Sequence, residues 1–170
     1  MAEPSRHQAN PLFLREEELR QGIELLFYGY RDFTNEADAL LSQMGFGRAH
    51  HLVVYFVGRY PDITVSGLLK ILRITKQSLS RVLRELIDKG YIDQTTGAKD
   101  RRQRLLKLTD QGQALERDLT AAQARRVARA YREAGAVAVE GFRKVLLGIL
   151  DEENRRTIER ELVGEPQDKR

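Results

Sequence analysis

The chain has 170 residues, 41% hydrophobic and 32% charged, with a net charge of +4 and neither cysteine nor tryptophan. That length buries one ordinary core, and the missing cysteines exclude disulfides, thiolate metal sites, iron–sulfur ligation and thiol-based catalysis or redox sensing. No run approaches the roughly eighteen apolar residues of a membrane span and no basic-then-apolar leader opens the chain, so a cytoplasmic protein without membrane contact is expected.

Residues 1–11 are polar, with Pro4 and Pro11, and read as a flexible lead-in. From Leu12 the pattern becomes helical: Leu19, Ile23, Leu26, Phe27 and Tyr30 fall on one side of a long amphipathic helix. Helix formers continue over Ala37–Met44, and Gly45 and Gly47 break the run. A second helix over Arg48–Tyr60 carries Leu52, Val53, Phe56 and Val57 on one side and stops at Pro61 and Asp62. Thr64 is the expected N-cap of a short helix with Val65, Leu68, Leu69 and Leu72 as its apolar positions. Arg73 and Ile74 form a turn, and Thr75 caps a further helix buried through Leu79, Val82, Leu83, Leu86 and Ile87 and stopped at Gly90. Tyr91–Thr96 and Arg102–Thr109 then read as the strands of a β-hairpin joined by residues 97–101. Thr109 caps an Ala-rich helix to about Arg132, with Leu115, Leu119, Val127 and Tyr131 on one side. Gly135 interrupts it, a last helix with Val139, Phe142, Val145, Leu146, Ile149 and Leu150 runs from about Val137 to Leu162, and residues 164–170 fray.

Charge is spread unevenly over these elements. From Arg73 to Lys107 ten Lys or Arg stand against four acids, a local +6 that leaves −2 for the rest. A basic segment on a slightly acidic body is the footprint of a nucleic-acid reader, whereas a charge cluster alone is also what a solvated face looks like. The helix after Thr75 tips the balance. At about 100° per residue, Lys76, Gln77, Ser80, Arg81 and Arg84 gather opposite its apolar stripe, with Thr75 and Ser78 at the N-terminal end and no acid between Lys76 and Arg84. These side chains suit the major groove: Arg and Lys donate to guanine, Gln pairs with adenine, and Ser and Thr reach phosphate or base. The helix N-terminus offers N–H groups to a phosphate. The hairpin tip brings Lys99, Arg101 and Arg102, flanked by Arg104, on a structure thin enough for the minor groove. Asp100 would repel phosphate there, so it is expected to orient an arginine or fix the turn. Residues 64–109 would then carry a winged helix-turn-helix reading double-stranded DNA.

At these residues the chain resembles the MarR-type winged helix-turn-helix regulators. Their wing pattern, D-x-R followed by a hydrophobic strand ending in L-T, is met by Asp100, Arg102, Leu105, Leu106, Leu108 and Thr109. The order of elements matches from about residue 12 to 162, and GRAHH at 47–51 with DRRQRLL looks closest to the PetP-type members. The resemblance implies a dimer held by first and last helices, a recognition helix over Thr75–Lys89 and a minor-groove arginine at Arg102. It also implies a small-molecule effector between dimer helices and DNA-binding lobe, for which Tyr28, Arg31, His51 and Tyr55 are candidates, although helical aromatics also serve as core. The family's cysteine-sensing mode has no residue to support it here.

The expected fold is mainly α with a small β-hairpin wing: a winged helix-turn-helix lobe plus a helical dimerisation region. Residues 12–163 form one domain, with dimerisation helices at 12–46 and 137–163, the winged helix-turn-helix at 48–109, a linking helix at 110–132 and tails at 1–11 and 164–170. The terminal stripes favour a homodimer independently, since they come from opposite ends of the chain and exceed what a small lobe covers. A two-fold axis would set two recognition helices on half-sites about 34 Å apart. The alternative is that these helices cap the lobe within a monomer.

Function follows as a sequence-specific transcriptional regulator acting as a homodimer on a palindromic site and modulated by a small molecule. An architectural or constitutive DNA-binding protein without an effector is the second reading, separated by its specificity ratio. Enzyme motifs are missing: no Walker loop, dinucleotide fingerprint, H-E-x-x-H or nucleophile elbow occurs, so no catalytic residue, cofactor or metal is expected. His50 and His51 are adjacent, so they cannot share one site on a regular helix.

Overall fold

The structure, a computed structural model, describes residues 12–97 and 102–163, with side chains through Glu159. A 3₁₀ turn at Leu12–Leu14 precedes α1 (Glu16–Ser42) and α2 (Arg48–Arg59). Strand β1 (Ile63–Thr64), α3 (Val65–Leu72), α4 (Lys76–Asp88), β2 (Ile92–Thr96) and β3 (Arg104–Leu108) follow, then α5 (Asp110–Ile149) and α6 (Glu152–Val163). Two compact units divide the described residues, one ending at Ala124 and the other beginning at Arg125, and α5 belongs to both.

The first unit holds the core. Leu41 of α1, Val53, Val54 and Val57 of α2, Leu68 of α3, Leu79, Val82 and Leu86 of α4, Ile92 and Leu106 of the sheet and Leu119 of α5 are all essentially sealed from solvent. On α2 the inward positions are Val53, Val54 and Val57, while Leu52 and Phe56 are only half-buried. The inward face of α2 is thus rotated toward Val54 from the one its sequence pattern predicts. A second difference is β1, which the sequence pattern misses: Ile63 and Thr64 pair antiparallel with Leu106 and Leu105, giving a three-stranded sheet in the order β1-β3-β2.

The helix ends are set by side chains already visible in the sequence. Thr64 Oγ1 accepts from Gly67 N–H at 3.0 Å, Thr75 Oγ1 from Ser78 N–H at 3.1 Å and Thr109 Oγ1 from Gly112 N–H at 3.0 Å, three N-caps of the same kind. At the other end of α4, Gly90 takes φ 76°, and the N–H groups of Gly90 and Tyr91 donate to the carbonyls of Ile87 and Leu86. This is a Schellman closure, and a side chain at Gly90 would strain it. It drops Tyr91 into the core and starts β2 without a loop.

Register in the hairpin runs from Ile92 opposite Leu108 to Thr96 opposite Arg104, so Ile92, Leu106 and Leu108 share one face and are buried, Gln94 lies on that face beyond the core and is exposed, and Asp93, Thr95 and Lys107 face solvent on the other side. Gly97 N–H donates to the Gln103 carbonyl at 3.0 Å, the last described rung before the tip. The start of α5 closes over the base of this hairpin at Gly112, where an added Cβ would lie 2.0 Å from the Tyr91 carbonyl oxygen.

Along α5, Gly135 leaves helical geometry at φ 80° and ψ 165°, so the helix is kinked at the glycine that the sequence marks as an interruption. The expected single helix to residue 162 is instead two pieces: α5 ends at Ile149 and α6 starts at Glu152. Neither Gly nor Pro stands at that break, and Asp151 together with the acidic first turn Glu152–Glu153 marks the new start. Among the described residues no helix is long and apolar enough to cross a membrane.

Candidate nucleic-acid interface

Helix α4 is amphipathic with a sharp boundary. Leu79, Val82, Leu83 and Leu86 are buried, and burial of each contributes about 1.5–3 kcal/mol toward holding the helix in place. Lys76, Gln77, Ser80, Arg81 and Arg84 are all exposed on the other side. Arg81 takes no hydrogen bond or ion pair among the described residues, so its guanidinium is available to a ligand. Thr75 and Ser78 close the N-terminal turn, with the Thr75 hydroxyl donating to Ser78 Oγ at 2.9 Å. The result is a rigid rod whose solvent face carries three cations, an amide and a hydroxyl without an acid.

At the wing, Arg104 is exposed and donates to Thr96 Oγ1 across the hairpin at 2.7 Å, which braces the two strands just below the tip. Arg102 is exposed at the edge of the described segment. Lys99, Asp100 and Arg101 lie outside the described residues, and with them the expected role of Asp100.

The four effector candidates are divided between α1, with Tyr28 and Arg31, and α2, with His51 and Tyr55. Arg31 lies over the Tyr28 ring at 4.8 Å and donates to Asp32 at 3.1 Å, both on the exposed side of α1. Tyr55 is exposed and meets Phe56 edge-on, whereas His51 is buried. Desolvation holds the His51 imidazole below the ordinary histidine value; Asp38 and Glu116 pull it back up and Arg48 pushes it further down. Beside it Arg48 donates to Thr34 Oγ1 at 2.9 Å and to Asp38, and its guanidinium sits 5.4 Å from the Tyr30 ring centre.

One constellation was not visible in the sequence. The Gly47 N–H donates to His50 Nδ1 at 3.1 Å, which fixes the neutral tautomer with its proton on Nε2, and Nε2 stands 2.8 Å from Glu85 Oε2 on α4. Phe46 stacks on the imidazole at 4.6 Å, Lys89 places its ammonium 4.4 Å from the Phe46 ring centre and donates to the Met44 carbonyl, and Tyr91 meets Phe46 edge-on. These residues pin the end of α4 to the α1–α2 turn. A histidine three residues after an N-cap glycine was the local signal for the capping half; its bond to a residue 35 positions away had none.

The family model described as the MarR family matches residues 44–103. The chain is 50% identical over 145 residues to the HTH-type transcriptional regulator PetP of Rhodobacter capsulatus, covering 85% of this chain and 87% of that protein. Among solved structures it is similar to the MarR family transcription regulator SP03579, with a TM-score of 0.68 at 20% identity over 88% of this chain and 95% of that one. It is also similar to a mutant MarR from E. coli complexed with operator DNA, with a TM-score of 0.62 at 22% identity over 84% and 100% of the two chains. A third neighbour is the Mycobacterium tuberculosis MarR family protein Rv2887 in complex with p-aminosalicylic acid, with a TM-score of 0.53 at 23% identity over 72% and 93%.

Proposed function

The chain belongs to the MarR family, a family of DNA-binding transcription regulators and not of enzymes, and on that premise we propose that it acts as a cytoplasmic homodimer that reads a palindromic operator. Helix α4 enters the major groove of each half-site with Lys76, Gln77, Ser80, Arg81 and Arg84 toward the DNA, Thr75 and Ser78 setting depth at a phosphate, and the wing residues Lys99, Asp100, Arg101, Arg102 and Arg104 at the flanking minor groove. The observation that carries this reading is the acid-free exposed face from Lys76 to Arg84 on a helix anchored by four buried aliphatic side chains. A face chosen for solubility alone mixes signs, because like charges three and four apart weaken a helix.

The second copy covers the apolar face of α1, where Ile23 and Phe27 are 68% and 64% exposed, and that of α5 beyond Gly135, where Val145 and Ile149 are 61% and 57% exposed. Rows of large exposed aliphatics on both terminal helices need such a cover. A small aromatic or acidic effector near Tyr28, Arg31, His51 and Tyr55 would modulate the fit; the E. coli and Mycobacterium neighbours are described in complex with operator DNA and with p-aminosalicylic acid.

Selection of bound sequences from random duplexes, followed by titration at several salt concentrations, tests the reading. Arg81→Ala or Gln77→Ala should cost about 1–3 kcal/mol on the selected site, relax one position per half-site and change binding to random DNA much less. Arg102→Ala should lower the salt slope by about one. Equal losses on selected and random DNA would reduce α4 to a phosphate contact, and no enrichment of any sequence would favour an architectural binder.

A further inference from the structure

Glu85 is the acid nearest to the reading face of α4, and it is held away from that face. On a helix a residue four positions on lies beside its predecessor, so Glu85 is placed to pair with Arg81 on one side and Lys89 on the other. Neither pairing forms. Glu85 Oε2 instead takes the His50 Nε2–H at 2.8 Å, while Lys89 is drawn to Phe46 and the Met44 carbonyl. Arg81 is left without a partner among the described residues.

We propose that His50 is a positioning residue for DNA reading: by binding the Glu85 carboxylate it keeps Arg81 from being neutralised within its own helix. This rests on the reading in which Arg81 contacts a base. The tautomer makes the device one-directional. Since Nδ1 is occupied by the Gly47 N–H, the only proton His50 can offer points at Glu85, and the stacked Phe46 holds the ring in that plane. Remove the donor and the carboxylate, 42% exposed at its side chain, is free to swing about its rotamers toward Arg81. An arginine already paired with a carboxylate must give up that bond before it reaches guanine, so operator affinity falls although no DNA-contacting residue has changed.

The prediction is a pattern of rescue measured on the full-length protein with its selected operator. His50→Leu, which fills the space without a donor, should weaken operator binding roughly tenfold, the cost of about one good base contact. His50→Gln can still accept from Gly47 and donate toward Glu85, and should stay within about twofold of the parent. Adding Glu85→Gln to His50→Leu removes the charge that competes for Arg81 and should restore affinity, while in an Arg81→Ala background His50→Leu should have little further effect. A merely structural histidine predicts the opposite: His50→Leu would lower the melting temperature and Glu85→Gln would restore nothing. Failure of that rescue, with Arg81→Ala still weakening the operator, overturns the role of His50 and leaves the α4 reading intact. If Arg81→Ala is itself without effect, both are overturned.

Discussion

The winged helix-turn-helix lobe and the terminal helices are built on opposite terms. In the lobe, α2, α3, α4, the sheet and the start of α5 share one sealed core, and backbones come close enough that Gly112 has no room for a methyl group. Along α1, only Thr34, Ala37 and Leu41 near its C-terminal end are buried, and among the described residues nothing beyond the adjoining helix backbone lies within 4 Å of a would-be Cβ at Gly22 or Gly29. The difference separates what this chain stabilises by itself from the faces that the proposed second copy would cover. Packing inside the lobe holds α4 in place; under the proposed homodimer, the bare helix faces would form an association surface whose strength depends on concentration.

One substitution made in both regions should give opposite signs. Helix propensity alone favours Ala over Gly by about 1 kcal/mol inside a helix. Gly112→Ala should nevertheless be the most destabilising change considered, at about 3 kcal/mol or more, because the new Cβ meets a backbone oxygen at 2.0 Å and the backbone must shift. Gly29→Ala in α1 should raise stability by up to about 1 kcal/mol, with open space around it. Urea unfolding of both variants decides the matter. A stable Gly112→Ala would contradict the close approach of α5 to Tyr91, and a Gly29→Ala that weakens association without unfolding would place the partner's helix against that glycine.

A sharper break of the comparison puts charge on the bare face. Ile23→Glu with Phe27→Glu should leave the lobe folded, since neither side chain contributes to its core, yet shift the chain to monomer in sedimentation at micromolar concentration and reduce operator affinity by an order of magnitude or more, because the second half-site is no longer tethered. A double variant that still sediments as a dimer would remove α1 from the interface; a parent chain that is monomeric would remove the two-fold reading altogether.

The same contrast explains how much could be read from the sequence. The helix-turn-helix was legible because each boundary is local chemistry: Thr64, Thr75 and Thr109 as caps and Gly90 as the αL stop all behave as their residue types dictate. Strand β1 was not, since two residues cannot show an alternation and their pairing partners lie more than 40 positions away. The shift of the α2 inward face to Val54 has the same origin: neighbouring elements on several sides decide which of two adjacent apolar residues turns inward. The break before α6 lacked the usual glycine or proline, and its acidic first turn was too weak a mark. At the candidate site the exposed cations of α4 followed from periodicity, whereas the bond from His50 to Glu85 appears only once α2 and α4 are packed together.

The smallest effect at neutral pH belongs to His51, and it emerges on acidification. This imidazole is buried within the lobe, with Asp38 of α1, Arg48 of its own helix and Glu116 of α5 as the charged groups around it. Desolvation outweighs the two carboxylates, so its folded value lies below the ordinary 6.5. The unfolded chain therefore binds a proton that the folded chain refuses, and stability from this group is complete above pH about 6.5 and lost as the pH falls through the folded value. His51→Gln removes that proton uptake while leaving His50 and the exposed helices unchanged. Urea midpoints taken from pH 7.5 down to 5 should decline more steeply for the parent than for the variant, the two running parallel above pH 7. The monomeric Ile23→Glu, Phe27→Glu chain should show the same divergence, because His51 belongs to the lobe and not to the association surface. Parallel curves throughout would show that the charges around His51 offset its burial, and a divergence that vanishes in the monomer would move its environment from the core of one chain to the contact between two.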